Sequence, residues 1–436
     1  MHRIAISILC LIGLPLIGSA QTDLTAKISE RAAGVLPKVI EWRRHIHQNP
    51  ELSNREFKTA EYITAHLKSL GLTVQTGVGK TGVVALLKGA KPGPVIALRA
   101  DMDALPVLER TGLPFASKVR AEYLGEEVPV MHACGHDAHV AMLMGAAEVL
   151  SGMKKDIAGT VKFIFQPAEE GPPGEEEGGA PLMIKEGVME NPKVDAIFGI
   201  HISSSIPSGE IRYKQGAYMA SSDWLSIHIK GKQAHGSAPW TGIDPVTTGA
   251  QVINALQTIV SRRQNIVQAP VVITVAKFHA GIRNNIIPEE AQLDGTIRTL
   301  DPVMQDEVHA RIREVVDGVA KSSGATITLN IDKKTPVTFN DSALVKAMIP
   351  ALEKAAGKTR AVPHLWTTGA EDFAYYGKHA PAFFFYLGGL PPGNSAQDAP
   401  GHHTPDFLID DSRLDVGIKA FCEIVLNYSA LRAASR

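Results

Sequence analysis

The chain has 436 residues, which is too long for one simple hydrophobic core and predicts two domains. Hydrophobic residues make up 44% and charged residues 20%, as is typical of a soluble globular protein. Lys and Arg number 44 against 45 Asp and Glu, so the net charge of −1 gives no indication of a nucleic acid or an anionic membrane surface as a partner.

The N-terminus has the pattern of a targeting segment. Met1-His2-Arg3 gives a short positive start, residues 4–17 are apolar, and the small residues Gly18-Ser19-Ala20 precede Gln21. The apolar run is too short to span a bilayer comfortably, which disfavours the alternative of an N-terminal anchor. The sequence therefore predicts a signal peptide over residues 1–20 and an exported protein, periplasmic or secreted, without membrane contact after cleavage.

Helices and strands alternate after this segment. Apolar spacing predicts helices over residues 24–47 and 54–70, the second capped by Asn54. Strands follow at residues 72–78 and 82–87.

Three further strands are almost continuously apolar, which is the pattern of a sheet covered on both faces. They span residues 94–100, 160–165 and 194–200, and the polar residues that follow them are Asp101, Glu169-Glu170 and His201. In open α/β sheets, ligands bind at the carboxyl ends of the strands. Because three strands place acidic or imidazole groups at that edge, we expect a functional site there.

The pattern then changes to that of a smaller unit. Between Ala220 and Pro336, strands and helices follow in the order β-α-β-β-α-β, the arrangement of a ferredoxin-like unit. Residues 343–356 and 414–433 are again helical, with an apolar strand at residues 382–387 between them.

The sequence thus predicts an α/β fold with an insertion. Residues 21–220 and 336–436 form a discontinuous catalytic domain, built on a mixed, mostly parallel sheet flanked by helices. Residues 221–335 form an inserted α+β, ferredoxin-like domain that serves as a lid or for dimerisation.

Metal-binding chemistry is concentrated in His132-Ala133-Cys134-Gly135-His136-Asp137-Ala138-His139, in front of an apolar helix at residues 140–150. Cys and His are ligands that Zn²⁺ and similar cations prefer. Five ligands suit two adjacent cations better than one. The candidates are Cys134, His136, Glu170, His201 and one of His402 and His403.

In a hydrolytic metal site, two adjacent carboxylates can have two different roles. One of Glu169 and Glu170 binds metal, while the other is free as general base. The alternative is a solvated acidic turn, and Glu175-Glu176-Glu177 close by is assigned to a solvated loop. Cys422 lies in an apolar helix, so a disulfide with Cys134 is not expected.

Seven motifs then occur in order over nearly the whole chain. They are Arg43-Arg44-His45-Ile46-His47-Gln48-Asn49-Pro50-Glu51-Leu52, Arg99-Ala100-Asp101-Met102-Asp103-Ala104-Leu105-Pro106, Cys134-Gly135-His136-Asp137, Phe165-Gln166-Pro167-Ala168-Glu169-Glu170-Gly171, Gly199-Ile200-His201, Gly369-Ala370-Glu371-Asp372-Phe373 and His403-Thr404-Pro405. Together they resemble the peptidase M20 family of metal-dependent amidohydrolases. The closest branch contains hippurate hydrolases, N-acyl-amino acid amidohydrolases and auxin-conjugate hydrolases.

The resemblance implies a zinc-exopeptidase-like fold with two divalent metal ions, Zn or Mn, in each subunit. Glu169 aligns with the catalytic base, and Asp101 aligns with a carboxylate that orients the site. The residues that align with the metal ligands are Cys134, His136, Glu170, His201 and His403.

Between the last two histidines, His403 is chosen because the family's ligand directly precedes a Ser/Thr-Pro pair. His402 is then expected to be a solvated neighbour. His132 and His139 are expected to support the site through hydrogen bonds.

The resemblance also assigns roles in the inserted domain. His235 aligns with a histidine that holds the substrate carbonyl or carboxylate, often across a dimer. Asn285 and Arg298 are candidates to bind the substrate carboxylate, with a surface salt bridge as the alternative for Arg298. An open sheet with exposed edges favours a homodimer joined through this domain. The alternative is a monomer whose inserted domain covers its own cleft.

One departure from the family lies beside the base. Residues 171–177, between Glu170 and Gly178-Gly179-Ala180, are more numerous than in many members. They are placed to reshape the substrate mouth, so a substrate does not transfer directly from any relative.

The predicted activity is metal-dependent hydrolysis of the amide bond of N-acyl amino acids, giving a carboxylic acid and a free amino acid. Hippurate-like acyl groups, acetyl groups and dipeptides all remain open. Three further hypotheses are a dipeptidase or carboxypeptidase-type exopeptidase with the same mechanism, a thiol hydrolase with Cys134 as nucleophile and His136 as base, and a catalytically silent binding protein. Glu169 argues against the last.

Overall fold

The computed structural model describes residues 16–434 of the chain. Its α-helices are α1 (Leu16–Gln48), α2 (Phe57–Ser69), α3 (His136–Ser151), α4 (Gly179–Lys185), α5 (Pro245–Thr258), α6 (Pro302–Ser323), α7 (Ser342–Ala356) and α8 (Leu414–Ala434).

The strands are, in chain order, β1 (Thr73–Val78), β2 (Gly82–Lys88), β3 (Lys91–Asp101), β4 (Arg120–Tyr123), β5 (Glu126–Pro129), β6 (Ala158–Gln166), β7 (Ala196–Pro207), β8 (Ile211–Tyr213), β9 (Gly216–Met219), β10 (Ser222–Lys230), β11 (Ala234–His235), β12 (Val271–Ala280), β13 (Ile286–Ile287), β14 (Glu290–Thr299), β15 (Thr326–Thr335), β16 (Thr338–Asn340), β17 (Ala361–Pro363) and β18 (Ala382–Leu390).

The larger sheet has eight strands in the order β1-β2-β6-β3-β7-β18-β8-β17. The four central strands β6, β3, β7 and β18 run parallel, while β2 joins β6 and β8 joins β18 in antiparallel fashion. The predicted α/β fold with a mixed, mostly parallel central sheet is confirmed. All four central strands therefore end at one edge.

Side chains of the central strands are buried on both faces of the sheet. On β3, Ile96 and Leu98 belong to the core formed with α1, α3 and α8, while Ala97 belongs to a second core with α4 and a 3₁₀ helix at Asp372–Lys378. This arrangement explains why β3 and its neighbours are apolar at almost every position. It also means that a polar residue on these strands needs a buried partner.

The second sheet has four antiparallel strands in the order β12-β14-β10-β15. Helices α5 and α6 pack on one face and close a separate core, in which Ile227, Leu256 and Ile312 are fully buried. The order along the chain is β-α-β-β-α-β, as expected. A separate core supports the division of the chain at residues 221–335, which stays a proposal.

The predicted cap of the second helix is wrong. Helix α2 starts at Phe57 after Glu56, whose side chain makes no capping hydrogen bond. Asn54 instead has a left-handed backbone, with φ of 62°, and donates its side-chain amide to Glu176 and to the carbonyl of Glu177. A long-range contact has taken the side chain that local sequence assigned to a helix end.

Most of the expected signal peptide lies outside the described residues. Helix α1 begins at Leu16 and continues through Gly18-Ser19-Ala20-Gln21 without a break, so the expected cleavage position falls inside a helix. Within residues 16–434, none of the helices combines the length and the apolar character needed to cross a bilayer.

Candidate active site

The polar residues predicted at the strand ends do come together. Asp101 is the last residue of β3, His201 lies on β7, and Glu169 follows β6 by a short turn. Helix α3 starts at His136, so its N-terminal turn meets the same sheet edge. The carboxyl ends of β3 and β6 and the start of α3 thus surround the site. Strand β7 was expected to end before His201, but it passes the site at His201 and continues to Pro207.

All five expected metal ligands belong to two groups that share Cys134. One group is Cys134, His136 and His201, the other is Cys134, Glu170 and His403, and the ligand atoms within each group lie within 4.8 Å of one another. A shared thiolate between two sets of nitrogen and oxygen donors suits two adjacent divalent cations.

The hydrogen bonding of these groups supports metal binding. His136 Nε2 is buried and has no hydrogen-bond partner among the described residues. Glu170 Oε1 lies 3.1 Å from His403 Nε2 and 3.8 Å from His136 Nε2 but forms a well-oriented hydrogen bond with neither. Buried donors and acceptors without a partner destabilise a folded protein. A cation between His136 Nε2 and Glu170 Oε1 would give both atoms a partner.

The two adjacent histidines occupy different environments. His403 reaches Glu170, as expected of a ligand, and its backbone is left-handed with φ of 62°. His402 is not the solvated neighbour that was expected. Its ring is partly buried against Phe407 and His201, and its Nδ1 lies 3.5 Å from Cys134 Sγ. His402 is therefore a further imidazole beside the ligand groups.

Two carboxylates, those of Asp101 and Asp103, orient the histidine rings of the site, whereas this role was expected of Asp101 alone. Asp101 Oδ1 accepts from His139 Nδ1 at 2.5 Å, and His139 Nε2 in turn accepts the backbone N–H of Ile202 at 2.7 Å. His136 Nδ1 instead contacts Asp103, at 2.9 Å from its carbonyl and 3.1 Å from its carboxylate. Asp103 therefore fixes the ring whose Nε2 faces the metal space. His139 supports the site as expected.

Arg99 is a buried cation that the sequence-based prediction missed. Its guanidinium on β3 has no exposed side-chain surface and contacts three carboxylates, those of Asp101 at 2.6 Å and of Glu371 and Asp372 at 2.9 Å each. Burial alone would raise the pKa of Asp101, but the charges of Arg99 and His136 outweigh it and hold that pKa well below its usual range. The sequence does contain a signal for these contacts, because an arginine within an otherwise apolar strand needs buried acidic partners.

The expected base Glu169 lies at this acidic centre. Burial first, and then the neighbouring Glu371 and Glu170, raise the pKa of Glu169 well above its usual range. The backbone N–H of Asp372 donates to Glu169 Oε1 at 3.3 Å. A carboxyl group with this environment accepts a proton readily, which is the property required of a general base.

Two residues of the first sequence motif, Arg43 and His47, hold the start of helix α3 in place. Arg43 Nε donates to Asp137 Oδ2 at 2.7 Å, and His47 Nδ1 lies 2.9 Å from the same oxygen. Both side chains come from α1, while Asp137 is in the first turn of α3. These buried contacts fix the start of α3, which carries the Cys134-Gly135-His136 loop.

A large cavity opens above these groups. It has a volume of about 830 Å³ and is lined by Cys134, Glu169, Glu170, His201 and His403 at its base. The four-stranded sheet contributes the opposite wall through Ser222, Trp224, Val272 and Arg298. Arg298 is partly buried there and makes no ion pair with any residue in the described part of the chain. Its expected alternative role in a surface salt bridge is therefore absent from this conformation.

His235 and Asn285 are not brought to this cavity. Both side chains are exposed on the short ribbon formed by β11 and β13, where Gly236 N–H donates to the carbonyl of Asn285. His235 Nδ1 is engaged with Ser237. Their expected role in substrate binding therefore needs a movement or a second subunit, and it stays a prediction.

The fold and the site define a hydrolase of the dinuclear metal class, and comparisons with known proteins agree. Residues 97–427 match Peptidase family M20/M25/M40. Thermostable carboxypeptidase 2 of Saccharolobus solfataricus is 38% identical over 93% of this chain and 99% of its own length. N-acetylcysteine deacetylase of Bacillus subtilis is 37% identical over 89% of this chain and 96% of its own.

A solved structure extends the likeness to the metal centre. The dinuclear metal binding peptidase of the M20 family from Bacillus subtilis superposes with a TM-score of 0.75 at 35% identity, over 91% of this chain and 99% of its own. The chain belongs to the M20 peptidase family. It is a hydrolase of the metal-dependent amidohydrolase kind, whose donor groups suit two divalent ions such as Zn or Mn.

The prediction of an exported, periplasmic or secreted protein is wrong. Relatives of this kind, the N-acetylcysteine deacetylase among them, are typically cytosolic. Helix α1 also continues without a break through Ala20 and Gln21, where the expected cleavage site lies. An apolar run followed by small residues is a compositional signal, and the same residues suit the start of a helix.

The Gly135→Ala variant tests the loop between the two ligands Cys134 and His136. Gly135 has φ of 90°, and a Cβ there would lie 2.2 Å from Ile202 Cγ2. We expect the variant to lose bound metal and most of its activity, because the loop must shift. Metal content by elemental analysis and turnover are the measurements.

Gly112→Ala is the matched control. Gly112 also has positive φ, at 69°, but has open space around it and lies outside the cavity. It should lose about 1 kcal/mol of stability from backbone strain and keep its metal. Equal metal binding by both variants would show that the Gly135 loop does not position the ligands.

Proposed function

We propose that the chain hydrolyses the amide bond of N-acyl amino acids, releasing a carboxylic acid and a free amino acid. The observation that carries the proposal is Arg298. Arg298 lines the same cavity as the metal-ligand groups and has no ion-pair partner among the described residues. A cation in that position suits a substrate whose free carboxylate lies next to the scissile amide.

The proposed ligands are Cys134, His136, Glu170, His201 and His403, with Asp103 and Asp101 holding the surrounding imidazoles. When bound, divalent cations in this site would supply Lewis-acid polarisation of a carbonyl group and lower the pKa of water.

The proposed part of Glu169 is proton transfer. Its carboxylate takes a proton from the attacking water and delivers it to the nitrogen of the departing amino acid. Arg298 meanwhile orients the amino acid part through its carboxylate.

A second candidate is an exopeptidase with the same chemistry. A carboxypeptidase substrate also carries a free carboxylate next to the scissile amide, and a relative of 38% identity bears that name. Arg298 serves both substrates equally. The acyl group alone separates them, since it is an aminoacyl group in a peptide and a simple acyl group otherwise.

The Arg298→Gln variant, assayed on a panel of N-benzoyl amino acids, N-acetyl amino acids and dipeptides, tests this proposal. We expect wild-type hydrolysis of at least one N-acyl class and a KM raised about 10- to 100-fold in the variant, because a charge-assisted pair is lost. The matched substrate is the same compound with its carboxylate converted to an amide, on which both proteins should perform alike. Equal KM values for the carboxylate substrate would contradict the role of Arg298.

The same panel distinguishes a metal enzyme from a thiol hydrolase and from a binding protein. A metal enzyme loses activity with a chelator and regains it with Zn²⁺ or Mn²⁺, whereas a thiol hydrolase is inactivated by alkylation regardless of metal. In the structure, burial and the neighbouring Glu170 and Glu169 raise the pKa of the Cys134 thiol well above its usual range, which is opposite to an activated nucleophile. Absence of turnover on every panel member would favour a binding protein.

We further propose a homodimer joined through the four-stranded sheet domain. The support is that His235 and Asn285 lie on an exposed ribbon outside the cavity of their own chain, together with the exposed side chains of Trp240 and Ile282. A second subunit is one means of bringing His235 to a substrate.

Mixing inactive subunits tests this arrangement. If Glu169→Gln and His235→Ala are each inactive alone, an equal mixture after subunit exchange should recover about a quarter of wild-type activity, because half of the dimers then hold one complete site. Light scattering gives the mass. A monomer, or a mixture that stays inactive, would contradict a role for His235 across the dimer.

A further inference from the structure

The loop that follows the base forms one side of the cavity mouth. This mouth loop, residues 171–177, contributes Gly171, Pro172, Gly174 and Glu176 to the cavity lining. It belongs to no helix or strand, and its backbone makes few hydrogen bonds, such as Glu176 N–H to the carbonyl of Pro173. Side-chain contacts must therefore hold it in place.

Those contacts converge on one carboxylate. Glu176 Oε1 accepts from Arg55 Nη2 at 2.6 Å, and Oε2 accepts from Asn54 Nδ2 at 3.0 Å and also from Lys80 Nζ. Glu176 was expected in a solvated acidic loop. The loop does lie at the surface, but the side chain of Glu176 is only partly exposed and is paired with cations. Its two acidic neighbours lack this arrangement: Glu177 pairs with Lys185 at the surface, and Glu175 is exposed without an ion pair to a described residue.

The donors come from two other turns of the chain. Asn54 and Arg55 lie between α1 and α2, and Lys80 lies between β1 and β2. Asn54 and Lys80 have left-handed backbones, with φ of 62° and 80°, which non-glycine residues rarely adopt. Both turns therefore direct a side chain to the same carboxylate.

The pairing also changes the chemistry of the wall. Glu176 is paired with two cations and an amide, and the other residues that the mouth loop contributes to the lining, Gly171, Pro172 and Gly174, are uncharged. If the substrate carboxylate binds Arg298 and the scissile amide lies at the ligand groups, the acyl group is the part of the substrate left to contact the glycine and proline residues of the mouth loop. This step rests on the proposed function.

We propose that Glu176 is a specificity-determining residue: its contacts with Asn54, Arg55 and Lys80 hold the mouth loop as the wall that selects the acyl group of the substrate. Loss of these contacts frees the loop and leaves the metal ligands in place. The effect therefore falls on discrimination between acyl groups, through KM, more than on kcat.

The Glu176→Gln variant keeps the size of the side chain and removes its charge. We expect the ratio of kcat/KM for benzoyl and acetyl derivatives of one amino acid to fall by about threefold or more, as suits the loss of a network of partly exposed ion pairs. Lys80→Met, which removes a donor, should change the ratio in the same direction. Glu175→Gln has the same charge change without the contacts and should keep the wild-type ratio.

The dependence of this kcat/KM ratio on ionic strength is a second test of the proposal. Partly exposed ion pairs are screened, so raising the ionic strength should move the wild-type ratio towards that of Glu176→Gln and leave the variant unchanged. An unchanged ratio in Glu176→Gln, or the same change in Glu175→Gln, would overturn the proposal.

Hydrogen exchange separates this proposal from the proposed function. The hydrogen-bonded amides of Gly171 and Glu176 should exchange faster in Glu176→Gln than in wild type or Glu175→Gln, whatever the substrate. If wild type hydrolyses no panel member, the proposed function fails, and faster exchange still supports the loop contacts. Equal exchange in all three proteins would overturn the loop contacts even if N-acyl amino acids are hydrolysed.

Discussion

The buried guanidinium of Arg99 is the interaction on which the site depends. It lies within a strand that is apolar on both faces and touches the carboxylates of Asp101, Glu371 and Asp372. Even with this cation, burial and mutual repulsion raise the pKa of Glu371 to about 7 and that of Asp372 to about 6. The site thus carries more buried carboxylate than protein cations balance. Divalent ions held by the adjacent ligand groups would restore that balance, which is one physical reason why acids and metal ligands lie together here.

The fold tolerates this concentration of charge because it is distributed over several elements. Strands β3 and β6 end at one edge, β7 passes it at His201, and α3 begins there, so each contributes one or two polar groups to a shared space. Backbone strain occurs at the same place, because Ala168 before the base and His403 among the ligands both have positive φ. Hydrogen bonds hold both residues: the Ala168 N–H donates to the fully buried Glu56 carboxylate at 2.9 Å, and the His403 N–H donates to the carbonyl of Ala133 at 2.8 Å. Rigid support of this kind is what a site with fixed ligand positions requires.

Much of this could be predicted from sequence, for identifiable reasons. Continuous apolar runs indicated the central strands, and residues just after them, such as Asp101 and His201, indicated the site. Contacts between distant segments could not be derived in that way: Asn54 had the properties of a helix cap but binds Glu176, and His402 is partly buried because Phe407 and His201 pack on it. Asp103 lay in a recognised motif, yet its contact with His136 depends on the path of the loop before α3.

The central claim is that Glu169 transfers the proton in a site whose metal ligands are other residues. The most direct measurement is turnover and metal content on the same sample of Glu169→Gln. The account predicts two divalent ions per chain, as in wild type, and a kcat lower by about 10²- to 10⁴-fold, because general base catalysis is lost while the ligands remain. Wild-type turnover with both metals bound would contradict it.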